Sequence, residues 1–379
     1  MKIVIINHEF PPAGGGAASA CERMATYLAA LGHELEIITS KVAGQAQQEY
    51  KNKYLIKRVL GYRHNLHTGK IWEVLLFVIH GFIYFTLWGR KQRPDVVYTF
   101  FTLPAGMLGL ALKIMYRYPY YVFLRGIDVP GFYGGKFSVL NKIFKPLIRY
   151  IWIHSDTIVA NSQYLQRLAY NTLRSKPIVV IPNSVDTRFF SASKRTEDKT
   201  TVKILFVGRL NKQKGLDCLL EAIAKLIKMH LRKDFFVEII GDGRQRPDLT
   251  RKSESLRIMN KVTFVGWLDK IRLLAHYQSA DIFISPSLDE GMPNVIMEAM
   301  ACGLPIIASD IPAHKEFITQ DIHGVLVPLN DSGALARAFK MLIEDERLRR
   351  RMGQENLDYI AQYSIFNMER FFSKVIAPT

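Results

Sequence analysis

Two carboxylates, Glu290 and Glu298, lie eight positions apart in SPSLDEGMPNVIMEAMACGLP, residues 285–305. An ionised carboxylate only accepts hydrogen bonds, so a pair of them can hold the hydroxyl groups of a polyhydroxylated ligand. Between them Gly291, Met292, Pro293, Asn294 and Val295 read as a tight turn entering a helix. That helix is expected from about Pro293 to Ala301, closed by Gly303 with Pro305 beyond. Its first amides would face an anion. Glu290, just ahead of the helix, would also complement the helix dipole, an effect of about 0.3–1 kcal/mol. Glu298 lies inside an apolar stripe, where an unpaired carboxylate is costly, so it needs a partner.

Cations accompany the carboxylates. In FVGRLNKQKG (206–215) Gly208 ends an apolar run, Arg209 follows it, and Lys214 precedes Gly215 and the next helical segment. An arginine fork and a lysine point charge beside a helix start suit a diphosphate; two solvated surface cations would have the same spelling. Gly241 and Gly243 in GDGRQRPDL (241–249) form half of a dinucleotide fingerprint, which discriminates poorly by itself. Gly15 and Gly16 in PPAGGGAA (11–18) permit close approach of backbone to a ligand ahead of a helix, or simply a flexible turn. A ligand with hydroxyls at both ends and a diphosphate between them satisfies the whole set. A nucleoside diphosphate sugar has that layout.

These residues need strand ends to carry them. KIVIIN (2–7), ELEIIT (34–39), DVVYTF (95–100), YYVFLRG (120–126), DTIVAN (156–161) and PIVVIPN (177–183) read as strands, most of them separated by helix-length segments. After the polar stretch SASKRTEDKT (191–200), the alternation restarts with strands at 202–208, 235–241, 261–266, 281–286, 305–309 and 324–328, and a long charged helix over roughly 331–350. The pattern predicts α/β architecture with two doubly wound parallel-sheet domains facing one another across a cleft. The expected division is an N-terminal domain at 1–190, a linker at 191–200, a C-terminal domain at 201–353, and a last helical segment at 354–379 that could pack back on the first domain. Ligands in such sheets bind beyond the carboxyl ends of the strands.

The chain has 379 residues, more than one core usually holds. Three scattered cysteines, Cys21, Cys218 and Cys302, form neither a disulfide framework nor a metal-type pair, and the N-terminus has no export-signal pattern. A cytoplasmic location is expected. Of the formal charge of +17, residues 1–199 carry +14 and residues 200–379 carry +3. The first half therefore suits an anionic partner or surface.

With these residues in view, the chain resembles the retaining glycosyltransferases of family 4, of GT-B architecture with two facing Rossmann-like domains. The resemblance covers nearly the whole chain and rests on PPAGGGA, VIPNSVDTRFF (180–190), GRLNKQKG, GDGRQRPDL and, most specifically, the Glu-x7-Glu element in PSLDEGMPNVIMEAMACGLPII. It implies that Arg209 and Lys214 bind the donor diphosphate, Glu298 the ribose hydroxyls and Glu290 the donor sugar. The amides from Gly291 to Val295 would contact sugar and phosphate, and Gly15 and Gly16 would approach the phosphate. It also implies a UDP- or GDP-linked donor, a leaving diphosphate that helps deprotonate the acceptor, and no divalent metal or other cofactor. One position departs from the family pattern His-Gly-x-Asp: LRGIDVP places Arg125 where the histidine stands, while Gly126 and Asp128 match. Arg125 cannot act as a base at neutral pH. A local Arg125–Asp128 ion pair is the plain alternative.

The stretch IWEVLLFVIHGFIYFTLWG (71–89) is nearly all apolar, with Arg63 and Lys70 before it and Arg90, Lys91 and Arg93 after it. A lone membrane span there would place residues 1–60 across the bilayer from the rest of their own domain. A buried helix and an interfacial helix with Trp72 and Trp88 at its ends remain. GFYGGKFSVLNKIFKPLIRYIWIH (131–154) repeats the aromatic and basic mixture. Peripheral docking on an anionic inner leaflet is expected, with a saccharide or lipid-linked saccharide acceptor as in bacterial surface polysaccharide assembly. The rival readings are a nucleotide-sugar epimerase or a phosphorylase on the same architecture, and a nucleic-acid-binding protein. The last is disfavoured because the basic charge is scattered among apolar runs with no binding motif.

Overall fold

A computed structural model describes residues 1–63, 71–132, 141–193 and 200–376. The chain forms two compact units: Met1–Ser184 together with the segment from Met368, and Val185–Asn367.

The first unit is built on an eight-stranded sheet. In chain order its strands are β1 (Lys2–Ile6), β2 (Glu34–Val42), β3 (Gln48–Lys51), β4 (Tyr54–Arg63), β5 (Val96–Phe100), β6 (Tyr120–Phe123), β7 (Thr157–Ala160) and β8 (Ile178–Val180). Their spatial order is β3-β4-β2-β1-β5-β6-β7-β8. All pairs are parallel except the β3–β4 hairpin at one edge. That hairpin is absent from the sequence expectation. Its strands carry Lys57, Arg58 and a fully exposed β3, so no apolar run marks them. Alternation along β1 feeds two cores: Ile3 and Ile5 enter one with helix α1 (Gly16–Ala30), and Val4 and Ile6 enter the other with helix α2 (Ile71–Gln92).

The second unit holds β9 (Thr201–Val207), β10 (Asp234–Ile240), β11 (Val262–Gly266), β12 (Ile282–Ser285), β13 (Ile306–Ser309) and β14 (Gly324–Val327), ordered β11-β10-β9-β12-β13-β14. Every pair is parallel, and a core lies on each face. The order reverses between β9 and β12, so the loops after those two strands meet at the switch point where such sheets bind ligands. The doubly wound α/β reading thus holds in both units.

Boundaries differ from expectation. Val185 pairs with Ser364, its amide donates to Tyr363 and its carbonyl accepts from Ile365, and Val185 and Phe190 are buried in the second core. The second unit therefore begins at Val185, ahead of the anticipated linker. Most of that linker, 194–199, lies outside the described residues, as do Lys70 and residues 133–140 of the second aromatic-basic stretch. The long helix expected at 331–350 is two helices, Ser332–Glu344 and Glu346–Ile360. Asp345 divides them: its backbone is extended and its side chain caps the second by accepting from the Leu348 amide at 2.8 Å. The terminal helix Glu369–Ile376 packs with the first unit, where Phe372 stacks on Tyr27 with ring centroids 5.1 Å apart.

Candidate active site

The loop after β9 and the loop after β12 are joined by backbone before any side chain is considered. Gly215 has φ +64°, and a Cβ there would lie 2.0 Å from the carbonyl oxygen of Pro286. Only glycine fits that approach in that conformation. The Leu288 amide donates to the Gln213 carbonyl at 2.7 Å, and Gln213 Nε2 donates to the Asp289 carbonyl at 2.9 Å.

This clamp brings Lys214 and Glu290 together. Lys214 Nζ donates to Glu290 Oε1, which also accepts from Ser287 Oγ at 2.9 Å. Glu290 is 9 % exposed. Burial opposes its ionisation, but the Lys214 charge and the hydrogen bonds from Lys214 and Ser287 outweigh it, and the carboxyl is held below its ordinary range. Beneath it His314 is fully buried, with Nδ1 at 2.8 Å from the Ser309 carbonyl and Nε2 at 3.4 Å from Ser285 Oγ. Burial pushes the imidazole down to about 4, so it is neutral at physiological pH. The Arg209 side chain is exposed and makes no hydrogen bond or ion pair with another described residue. Of the two expected cations, one is therefore engaged by a carboxylate and one is available.

The turn after Glu290 buries Gly291, Met292 and Pro293. The helix runs Asn294–Ala301, one residue later than expected, with Pro293 as its cap. Val295 and Asn294 are partly exposed on its first turn. Glu298 does have a partner: Tyr277 Oη, on the helix Lys270–Ser279, donates to Glu298 Oε2 at 3.1 Å. Burial, and then the Glu298 charge, push the Tyr277 phenol well up. Tyr277, Ser287 and His314 are site residues that the sequence reading missed; each lies outside the matched motifs or has no pattern of its own.

Gly241 and Gly243 share one role. A Cβ on Gly241 (φ +131°) would lie 1.9 Å from the Gly208 carbonyl oxygen, and one on Gly243 would lie 2.3 Å from that of Leu210. These glycines let the loops after β9 and β10 touch, which is a packing reason for the Gly-x-Gly spelling.

In the first unit, Gly15 and Gly16 open α1 just beyond the turn that follows β1. Arg125 and Asp128 follow β6. They form no side-chain ion pair, contrary to the plain alternative. Asp128 accepts from the Thr102 amide and hydroxyl (2.8 and 3.2 Å) and from the amides of Arg125 and Gly126 (2.9 and 3.1 Å), so it shapes the turn. Arg125 instead donates to Asn183 Oδ1 at 2.7 Å and lies over the Phe100 ring, 4.1 Å from its centroid. Among the described residues no three His, Cys, Asp or Glu side chains gather as metal ligands would.

Known proteins share this fold. Residues 14–189 match the family described as Glycosyltransferase Family 4, and residues 187–358 match Glycosyl transferases group 1. The lipopolysaccharide core biosynthesis glycosyltransferase LpsE of Rhizobium meliloti (strain 1021) is 27 % identical over 238 residues, covering 61 % of this chain and 67 % of that protein. Among solved structures, sucrose-phosphate synthase from Thermosynechococcus elongatus superposes with a TM-score of 0.84 at 21 % identity, covering 100 % of both chains. Anabaena Alr3699/HepE in complex with UDP-glucose superposes with a TM-score of 0.76 at 17 % identity, covering 99 % of both. With both halves matched in order and the fold shared end to end, the chain belongs to the family 4, group 1 glycosyltransferases of GT-B architecture.

Proposed function

We propose that this glycosyltransferase moves a sugar, with retention of configuration, from a UDP- or GDP-linked donor to a saccharide or lipid-linked saccharide acceptor in bacterial surface polysaccharide synthesis. The observation that carries the donor half is the set at the β9/β12 switch point: free Arg209, the Lys214–Glu290 pair, and Glu298 one helix turn beyond. Arg209 and Lys214 take the diphosphate, where cations offset the charge that develops as it leaves. Glu298, held by Tyr277, accepts from ribose hydroxyls. Glu290 accepts from the donor sugar, and the amides at Gly291–Val295 face sugar and phosphate. In the transfer step the anomeric carbon–oxygen bond to the diphosphate breaks as the acceptor oxygen bonds the same face, and a phosphate oxygen takes the acceptor proton. No metal is assigned a role. LpsE, named for lipopolysaccharide core biosynthesis, and the HepE complex with UDP-glucose support the acceptor and donor classes.

The membrane part of the reading rests on α2. Its buried face is Glu73, Phe77, Gly81, Phe85 and Gly89, a strict four-residue spacing that seats it on the helix Met107–Tyr116. Its other face exposes Trp72, Leu75, Ile79, Phe82, Leu87 and Trp88 beside exposed Arg90 and Lys91. An apolar stripe with terminal tryptophans and basic neighbours suits an anionic bilayer interface. The test is thermal stabilisation by UDP, GDP and ADP with and without EDTA, followed by NMR of the product's anomeric configuration. One preferred nucleotide, indifferent to EDTA, with a retained anomer is expected. No stabilisation by any nucleotide, with or without liposomes, would refute the donor assignment.

A further inference from the structure

We propose that Arg125 selects a saccharide bearing a negative charge, a carboxylate or a phosphate monoester, at the carboxyl edge of the first unit's sheet. The inference rests on the glycosyltransferase reading and names the substrate class more narrowly.

Arg125 follows β6, at the sheet edge where ligands of α/β domains bind. Its guanidinium is fixed by Phe100, by Phe123 (5.7 Å to the centroid) and by the neutral Asn183 carboxamide. Those contacts orient the group without neutralising it. Asp128, the nearest carboxylate in sequence, attracts the guanidinium through space but makes no direct ion pair with it, its oxygens being occupied by the four donors already described. Cys21, which senses the Arg125 charge, supplies no thiolate: burial pushes its thiol up to about 12. Burial pulls the guanidinium down to about 10, which leaves it charged at neutral pH.

A buried donor there also lacks an acceptor, Arg125 Nε. A buried cation with no carboxylate in direct contact is costly, and a neutral hydroxyl would satisfy a hydrogen bond without adding a matching charge. A carboxylate or phosphate supplies both, and the guanidinium fork fits either.

The experiment uses the full chain and calorimetry. UDP and GDP are titrated first, which tests the donor assignment independently of Arg125. UDP-glucuronate is then compared with UDP-glucose. In a second arm D-glucuronate and D-glucose 6-phosphate are compared with D-glucose, with the preferred nucleotide present. The expected result is at least a tenfold preference for the charged member in one arm, lost in Arg125→Gln while nucleotide affinity stays within about twofold. A preference in the nucleotide-sugar arm puts the charge on the transferred sugar; in the free-sugar arm, on the acceptor. Arg125→Lys serves if the glutamine variant does not fold. It keeps a charge but not the fork, and most of the preference should go. No preference in either arm, or one that survives both substitutions, overturns the proposal. If no nucleotide binds, the donor assignment fails, and the free-sugar arm, run without nucleotide, still decides on Arg125.

Discussion

Lys214→Met removes an ammonium and keeps most of its stem, leaving Glu290 a buried carboxylate whose remaining side-chain donor is Ser287. Removing one partner of a buried ion pair costs about 3–5 kcal/mol. The side chains here retain 18 % and 11 % of their exposure, so we take the lower end, about 3 kcal/mol. For a unit of this size that is a fall of about 6–12 °C in Tm. The sign with pH is fixed by Glu290. In the native protein its pKa is depressed, so its contribution is present above the unfolded carboxyl pKa and is lost as pH falls through the folded value. Without Lys214 its largest opponent is gone, burial outweighs the remaining Ser287 hydrogen bond, and the pKa rises. The variant is then relieved by protonation on acidification, and the gap to the native protein narrows towards about pH 4. Lys214→Met/Glu290→Gln removes the stranded charge and should recover most of the loss. Calorimetric scans from pH 4 to 8 on the three proteins measure this. A loss below about 1 kcal/mol at pH 7, or a double variant no more stable than Lys214→Met, would refute the reasoning. On the proposed reading Lys214→Met also weakens UDP or GDP binding about 10- to 100-fold, the worth of a charged hydrogen bond.

The remaining expectations use different parts of the molecule. Gly215→Ala, forced into φ +64° with its Cβ on the Pro286 carbonyl, should lower the Tm more than Lys214→Met or prevent folding; a native-like Tm would contradict the clamp. Glu298→Gln should raise the nucleotide Kd about 10-fold or more, whereas Tyr277→Phe should cost about 1 kcal/mol of stability with a smaller binding loss, since it removes only the hydroxyl that holds Glu298. His314 is depressed to about 4 from an unfolded value near 6.5, so its contribution is complete above about pH 6.5 and is lost as pH falls towards 4. His314→Gln should flatten that part of the stability–pH curve, and an unchanged slope would place the titration elsewhere. Ile79→Glu/Phe82→Glu on the outer face of α2 should cut sedimentation with anionic liposomes at least tenfold, from about 1.5–3 kcal/mol per buried apolar side chain, with Tm and nucleotide affinity unchanged.

Most of the second unit was legible because its central strands β9, β12 and β13 are buried on both faces and read as apolar runs, while β9, β10 and β11 end at Gly208, Gly241 and Gly266. The Glu-x7-Glu element lies at the switch point because the motif directly follows the end of β12. Other features had no local signal. The β3–β4 hairpin is charged and lies at an edge, so neither alternation nor an apolar run marks it. Val185 reads as the tail of the β8 segment, and only its pairing with Ser364 and Ile365, far along the chain, assigns it to the second unit. The break at Asp345 was legible in principle, as an acidic cap before a charged first turn. It was hidden by helix-favouring residues on both sides. Glu298 was known to need a partner, but nothing in the spelling of residues 270–279 singles out Tyr277.

The Lys214–Glu290 contact changes how the two residues must be understood. Their separate assignments, one to diphosphate and one to sugar, treat them as independent, yet 76 positions of sequence fold to bring them into direct contact. An ammonium has three donors, so Lys214 can keep Glu290 ionised and still offer protons to a phosphate oxygen. A diphosphate arriving between Arg209 and Lys214 would compete for the same charge and loosen its hold on Glu290. The carboxylate would then turn its lone pairs to sugar hydroxyls at the moment the donor is seated. On the proposed reading, binding and positioning would be coupled through one cation. A double-mutant cycle on Lys214 and Glu290, read in affinity for the nucleotide and for the nucleotide sugar, should give a different coupling energy for each ligand. Equal values would mean that the two side chains act independently after all.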